Sequence, residues 1–174
     1  MARFSLQALG RDRPGIVASV SDALASMGWN LEDSSMSILS GQFAIVLVLD
    51  AGDIADGRVI EAALASVAED LDLFIAVRPV TEDPHAFEAE SMVRIEVHGS
   101  DRPGIVAAVA AEIAAVQADI CELVSRVVDG EYLMRLRVAL PGGGDPAALR
   151  STLNRRAVAL GVTCDLTEEP TLAP

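Results

Sequence analysis

Apolar and polar positions follow two periods along this chain, and the same succession of periods occurs twice. In the first half, four strands are predicted: alternating apolar and polar residues mark 3–9, shorter apolar patterns mark 30–38 and 73–77, and an uninterrupted apolar run marks 43–49. Helical spacing predicts helices over 16–27 and 60–71. In the second half, the same patterns predict strands over 93–97, 120–128, 132–140 and 162–166, and helices over 105–116 and 149–160.

A repeated nonapeptide explains this recurrence. Residues 10–18 (GRDRPGIVA) return as residues 99–107 (GSDRPGIVA), identical at eight of nine positions and 89 residues further on. The offset of 89 also aligns Leu49 with Val138 and Ile75 with Cys164. A whole structural unit is therefore duplicated.

The order strand–helix–strand–strand–helix–strand predicts the fold class of each copy. We expect an α+β protein made of two ferredoxin-like βαββαβ units, each a four-stranded antiparallel sheet with two helices on one face. The predicted domains are 1–79 and 92–168, joined by a linker over 80–91 and followed by a tail over 169–174.

The repeated motif falls between a strand and a helix, and its residue types suit a helix start. Asp12 and Asp101 are candidate N-caps, and Pro14 is tolerated in a first helical turn. Gly15 and Gly104 have no side chain to cover the helix N–H groups. Such uncovered N–H groups favour an anion, for example a carboxylate.

Charge narrows the classes of partner. The formal net charge is −13, and all thirteen basic residues are arginines scattered along the chain. Both features argue against direct nucleic-acid binding and against an anionic membrane surface. The 51% hydrophobic content argues against disorder, and no apolar run reaches the roughly 20 residues that span a bilayer. We expect a soluble, cytoplasmic protein with a protein partner.

Little in the sequence suggests catalysis or a cofactor. Cys164 aligns with Ile75, so we expect a core position for it. His98 is either a pH-sensitive group beside the second motif or a half-buried residue at a strand end. No His, Cys and carboxylate positions have metal-ligand spacing, and no serine has a paired base. We therefore predict no catalytic residue, no metal and no cofactor.

The third strands of the two copies differ on the face away from the helices. In the second copy Arg135 and Arg137 alternate with apolar residues, as expected for a strand wet on one side. Residues 43–49 of the first copy include no polar residue. We expect the open face of this strand to be covered by the other domain or by another chain.

The Asp-Arg-Pro-Gly-Ile-Val turn between a first strand and a first helix resembles the signature of the ACT domain family, regulatory modules that bind small ligands, usually amino acids. The resemblance implies a ligand site where the loop after the first strand meets the start of the second strand, often at a contact between two units. Carried over, it names Asp12, Pro14, Gly15 and Ile16 with Asn30 and Leu31, and Asp101, Pro103, Gly104 and Ile105 with Asp119 and Ile120. The loop N–H groups would hold a carboxylate, and Asn30 or Asp119 would hold an ammonium group.

The resemblance also implies a function. It describes a non-catalytic sensor of a small amino acid, such as glycine or serine, that modulates a transcription factor or a metabolic enzyme and assembles as a homo-oligomer. Tandem ACT proteins of this type act in transcriptional control of amino-acid metabolism, including glycine cleavage. The alternative is a ligand-free assembly module or a detached regulatory subunit of an amino-acid-metabolism enzyme.

Overall fold

Two compact units, Met1–Pro84 and His85–Pro174, make up the chain. The structure, a computed structural model, describes residues 2–53, 56–81 and 90–169. Most of the predicted linker and the end of the predicted tail, residues 82–89 and 170–174, lie outside the described residues.

The first unit is a four-stranded antiparallel sheet with its helices on one face. Its strands run in the order β2-β3-β1-β4. Its elements are β1 (Arg3–Arg11), α1 (Ile16–Ser26), β2 (Asn30–Leu39), β3 (Gln42–Asp50), α2 (Gly57–Ala63), α3 (Ala65–Leu71) and β4 (Leu73–Pro79).

The second unit repeats this topology in the order β6-β7-β5-β8. Its elements are β5 (Ser91–Ser100), α4 (Ile105–Ala115), β6 (Asp119–Val128), β7 (Glu131–Leu140), α5 (Pro146–Leu160) and β8 (Val162–Glu169). The predicted α+β fold of two βαββαβ units is confirmed.

Alternation along the strands builds one core per unit, between the sheet and its helices. In the first unit Leu6 and Leu47 of the central strands pack with Ile16 and Leu24 of α1. In the second unit Cys164 is buried in the corresponding core, as expected from its match with Ile75. Burial, followed by the nearby Asp165 carboxylate, raises the pKa of the Cys164 thiol to about 11.

Two tight turns fix the strand register. Ser40 and Gly41 have φ of 50° and 77°, and Asp129 and Gly130 have φ of 52° and 84°. Two consecutive positive φ angles are typical of type I′ hairpins, whose twist matches that of the flanking strands.

The structure corrects the predicted bounds of one helix and of the last strand. The helix predicted over 60–71 is broken at Leu64, which adopts φ −96° and ψ 1° between α2 and α3 while its side chain stays buried. The last strand, predicted over 162–166, continues as β8 to Glu169, because the carboxylate of Glu169 is bound by Arg94 of β5 and Arg137 of β7.

The open face of the first sheet is exposed in the single chain. Leu9, Val46 and Phe74 lie on this face and are 48%, 46% and 66% exposed. The first unit itself leaves this face uncovered, and its cover by the other domain or by another chain stays a prediction. Across the described residues, no helix combines the length and apolar character needed to cross a membrane.

Candidate functional site

The repeated motif forms the loop between β1 and α1, and its glycine begins the helix. Gly15 is the N-cap of α1 with φ 96° and ψ −11°, and Gly104 is the N-cap of α4 with φ 95° and ψ −3°. Glycine adopts this left-handed backbone without the penalty that a side chain would incur. The two motifs therefore keep glycine at this position for a geometric reason.

The predicted N-caps Asp12 and Asp101 are wrong. Each lies three residues before the true N-cap, and neither helix receives a side-chain cap among the described residues. The backbone N–H of Asp12 instead donates to the carbonyl of Gly41 at 2.8 Å, which holds the loop against the β2–β3 turn. Pro14 also lies outside the helix rather than in its first turn.

The first turn of each helix consequently presents N–H groups that no described side chain caps. The first intrahelical bond of α1 runs from the N–H of Ser19 to the carbonyl of Gly15 at 2.9 Å. In α4 the corresponding bond joins Ala108 to Gly104, also at 2.9 Å. The N–H groups of residues 16–18 and 105–107 precede these bonds and point out of the helix start, where partial positive charge is concentrated.

A cavity of about 480 Å³ adjoins the first of these helix starts. The cavity lies between the motif loop, α1 and both strands of the β2–β3 hairpin. Its lining consists of Asp12, Arg13, Gly15, Ile16, Val17, Ala18, Ser21, Met36 and Phe43. The cavity thus combines backbone donors, one carboxylate, one guanidinium, one hydroxyl and an apolar wall.

The corresponding region of the second unit has a different lining. Ser21, Met36 and Phe43 match Ala110, Ser125 and Tyr132. Arg13 is half-buried against the first cavity, whereas Arg102 is exposed and lies beside the end of α5. A Cβ built on Gly161 would be 3.2 Å from Nη1 of Arg102.

Three of the residues expected at the first site line this cavity, and three do not. Asp12, Gly15 and Ile16 belong to the lining, and Pro14 lies in the same loop. Asn30 and Leu31 lie at the far end of the sheet, because β2 begins opposite Asp50 and returns to the motif end only at Leu39. The separation along the strand is about 30 Å.

The second unit shows the same separation. Asp119 and Ile120 begin β6 at the end away from Asp101, Pro103, Gly104 and Ile105. One unit alone therefore does not bring the predicted carboxylate and ammonium contacts together. A site that combines them requires a second unit.

Six lining residues were not among those expected from the sequence: Arg13, Val17, Ala18, Ser21, Met36 and Phe43. Ser21 lies a turn and a half into α1, on the side of the exposed helix start. Met36 and Phe43 face the cavity from the two hairpin arms, and Arg13 reaches it from the motif itself. The hairpin turn at Ser40-Gly41, visible in the sequence, could have placed Phe43 beside the motif, but Met36 required the strand register.

The remaining candidates lie outside the lining of the first cavity. His98 is exposed rather than half-buried, and it lines a cavity of about 360 Å³ on the open face of the second sheet, with Glu96 and Arg126 among the lining residues. Cys121 is exposed. Within residues 2–53, 56–81 and 90–169, no three His, Cys, Asp or Glu side chains are grouped closely enough to hold a metal ion.

Comparison with known proteins agrees with this architecture. The ACT domain family matches residues 3–78 and again residues 91–167, which together account for most of the chain. The chain belongs to the ACT domain family and carries two such domains in tandem.

Individual proteins are similar to parts or to the whole of the chain. The chain is 32% identical over 126 residues to the glycine cleavage system transcriptional repressor of Escherichia coli, covering 72% of this chain and 65% of that protein. A UPF0237 protein of Methanopyrus kandleri is 36% identical over 80 residues, which cover 45% of this chain and 88% of that protein. A solved structure of an unknown protein from Galdieria sulphuraria is 31% identical, with a TM-score of 0.80 over 97% of this chain and 99% of that chain.

Proposed function

We propose that this chain is a non-catalytic regulatory protein that senses a small amino acid at the cavity between the first motif and the β2–β3 hairpin. The observation that carries the proposal is the helix start at Gly15. Its N–H groups receive no side-chain cap, and they open onto a cavity that also holds a carboxylate. The tandem ACT domains and the likeness to a transcriptional repressor support a regulatory role.

The lining suits a zwitterion with a small side chain. The N–H groups of residues 16–18 would hold the ligand carboxylate, since helix N-termini favour negative charge. The Asp12 carboxylate would hold the ammonium group, a role that the sequence had assigned to Asn30. The Ser21 hydroxyl and the apolar walls of Met36 and Phe43 would accommodate a glycine- or serine-like ligand.

The relative's function suggests what the sensor controls. The E. coli protein is a glycine cleavage system transcriptional repressor, so we propose that this chain acts in transcriptional control of amino-acid metabolism. With a net charge of −13, it would do so through a protein partner, such as a transcription factor or a metabolic enzyme, rather than by contacting DNA.

Isothermal titration calorimetry of the full chain against glycine, serine and the other amino acids tests ligand binding. We expect one or a few small amino acids to bind, and to raise the melting temperature as their concentration rises. At a hundredfold excess over the dissociation constant the stabilisation is about 2.7 kcal/mol.

Paired glycine variants locate the site. Gly15→Val forces a branched side chain into a left-handed backbone beside the ligand carboxylate, so binding should be lost. Gly104→Val imposes the same backbone change on the second unit and serves as the matched control, in which binding should persist. Binding that survives in both variants would contradict the assignment to the loop.

An assembly module without a ligand is the second candidate. Exposure of Leu9, Val46 and Phe74 on one sheet face favours it. If no amino acid gives a calorimetric signal while the chain still self-associates, the result would favour the assembly module over the sensor.

A further inference from the structure

The central part of the open face of the first sheet is a nearly uncharged surface, here called the neutral face. Strand pairing arranges it in three rows across β4, β1, β3 and β2. The rows are Phe74–Leu9–Ala44–Ser37, Ala76–Gln7–Val46–Ser35 and Arg78–Ser5–Val48–Asp33. Within these three rows charge is confined to the two corners of the third row, and the rows beyond them carry Arg11 beside Gln42 at one end and Arg3 beside Asp50 at the other.

The second sheet shows that such neutrality is not a requirement of the fold. At the positions that match Ala76, Gln7 and Val46, the second sheet carries Asp165, Glu96 and Arg135. At the positions that match Ser5, Val48 and Ser37, it carries Arg94, Arg137 and Arg126. The same pleated surface is thus solvated and charged in one copy, and apolar and exposed in the other, which marks the neutral face as a contact surface.

We infer that the neutral face binds the neutral face of a second copy of this chain, forming a two-fold symmetric dimer with the two sheets packed face to face. The inference does not rest on the amino-acid site. An isologous contact uses one surface twice and therefore closes on itself. In a chain of net charge −13, the neutral face is a surface on which a second copy meets little like charge.

Charge complementarity fixes the symmetry axis. A two-fold axis parallel to the strands and midway between β1 and β3 places β4 of one copy opposite β2 of the other, with each row facing itself. Arg78 of each copy then faces Asp33 of the other, so both corner charges are paired. An axis perpendicular to the strands would instead place Arg78 over Phe74 and bury a guanidinium against an aromatic edge.

The packing geometry allows this pairing. Aligned sheets pack about 10 Å apart and rotated by about 30°, which moves the corners of a four-stranded sheet by a few ångströms. That displacement is within the reach of an arginine side chain. At the centre, Val46 of one copy packs against the aliphatic part of Gln7 of the other, and Leu9 packs against Ala44.

The area available sets the expected strength. Four strands at about 4.8 Å spacing and about nine residues of length give roughly 500 Å² per copy, or about 1,000 Å² in total. This lies at the lower end of the range for specific interfaces. The dimer should accordingly dissociate in the micromolar range.

Sedimentation equilibrium of the full chain tests the inference. The wild type should show a monomer–dimer equilibrium, and Val46→Arg should weaken it about 100-fold or more, since it buries two unpaired cations per dimer. The variant introduces the residue that the second sheet carries at the matching position, so the unit should keep its far-UV circular dichroism. Val124→Arg is the matched control, because Val124 is 41% exposed on the open face of the second sheet; it should sediment as the wild type does.

A charge exchange tests the axis itself. Asp33→Arg and Arg78→Asp should each weaken the dimer, because like charges then face each other, and the double variant should recover most of the loss. A wild-type chain that stays monomeric at 100 µM would overturn the inference, as would a dimer that Val46→Arg leaves intact. Failure of the double variant to recover would overturn the proposed symmetry. Loss of amino-acid binding alone would leave the dimer standing, so the two proposals fail separately.

Discussion

At the scale of single residues, the close approach of β4 to β1 makes the strongest demand on the sequence. A Cβ on Gly10 would lie 2.6 Å from Leu73 Cδ2 and 2.8 Å from the Asp72 carbonyl oxygen. Gly99 is equally constrained, since its Cβ would lie 2.9 Å from Val162 Cγ1. The glycine that opens each repeated motif is therefore required by strand packing and not by the ligand.

We expect Gly10→Ala to lower the free energy of unfolding by about 1–3 kcal/mol, because the backbone carbonyl that the methyl group meets cannot move aside without disturbing the strand pair. Urea denaturation followed by circular dichroism measures the change as a shift of the midpoint. Gly142→Ala is the control, since its methyl group would make only an ordinary contact at 3.4 Å with Glu90. Equal midpoints for Gly10→Ala and the wild type would show that the β1–β4 contact is looser than described.

At the scale of elements, the end of β8 is stabilised by an ion-pair network that joins three strands. Arg137 Nε donates to Glu169 Oε2 at 3.1 Å, and Arg94 Nη2 donates to Oε1 at 2.6 Å. The hydrogen bond from Arg137, followed by that from Arg94, holds the pKa of Glu169 below its ordinary value of 4.5. Glu169 is 15% exposed, so the network is partly shielded from water.

The lowered pKa gives the network a defined pH dependence. Its stabilisation is fully present above pH 4.5 and is lost as the pH falls through the lower pKa of the folded state. Glu169→Gln should therefore reduce stability at pH 7, and the gap to the wild type should narrow below pH 4.5. Urea midpoints across this range check the expectation, with Glu168→Gln as the control because Glu168 makes none of the described ion pairs. A gap that is constant with pH would mean that the carboxylate charge contributes nothing.

Elements were predictable where periodicity and turn residues agree. The strand–helix order, both hairpin turns and the glycine at each helix start follow from local pattern and from the duplication. The break at Leu64 does not, because the apolar spacing on both sides is that of a single helix. The extension of β8 to Glu169 depends on arginines in distant strands, which periodicity does not detect.

The candidate site, too, could be predicted from the sequence only where its residues lie close together along the chain. The sequence identifies Asp12 and Gly15 because the motif is local, whereas Asn30 lies at the far end of the same unit, so its meeting with the motif requires a second unit and stays a prediction. A helix of eleven residues returns the chain to the opposite end of the sheet before β2 begins. Met36 and Phe43 become neighbours of the motif only through the pairing of β2 and β3 with β1.

At the scale of the whole molecule, the duplication has produced two units with one fold and different surfaces. The first unit carries the cavity at the motif and the neutral face. The second carries a charged open face on which three arginines are paired with carboxylates. Arg135 pairs with Glu96 at 3.0 Å, and Glu169 binds Arg94 and Arg137.

This pairing of arginines with carboxylates affects whether the chain, which is similar to a transcriptional repressor, would contact DNA directly. An open sheet face with several arginines is the surface of this fold that nucleic acid would approach, yet the carboxylates beside these guanidinium groups repel phosphates. The chain as a whole has 26 acidic and 13 basic residues. Even non-specific binding, with dissociation constants of about 10⁻⁴–10⁻⁶ M in DNA-binding proteins, depends on a positive surface that releases counterions.

We therefore expect the full chain to leave the fluorescence anisotropy of a labelled DNA duplex unchanged at low salt, with and without glycine. The Glu96→Gln and Glu169→Gln double variant extends the test, because it frees three arginines on one face while the net charge stays strongly negative; it should also fail to bind. A rise in anisotropy that added salt reverses would contradict the expectation and assign direct DNA contact to the charged face. Without such a rise, the proposed control of transcription would have to pass through a protein partner.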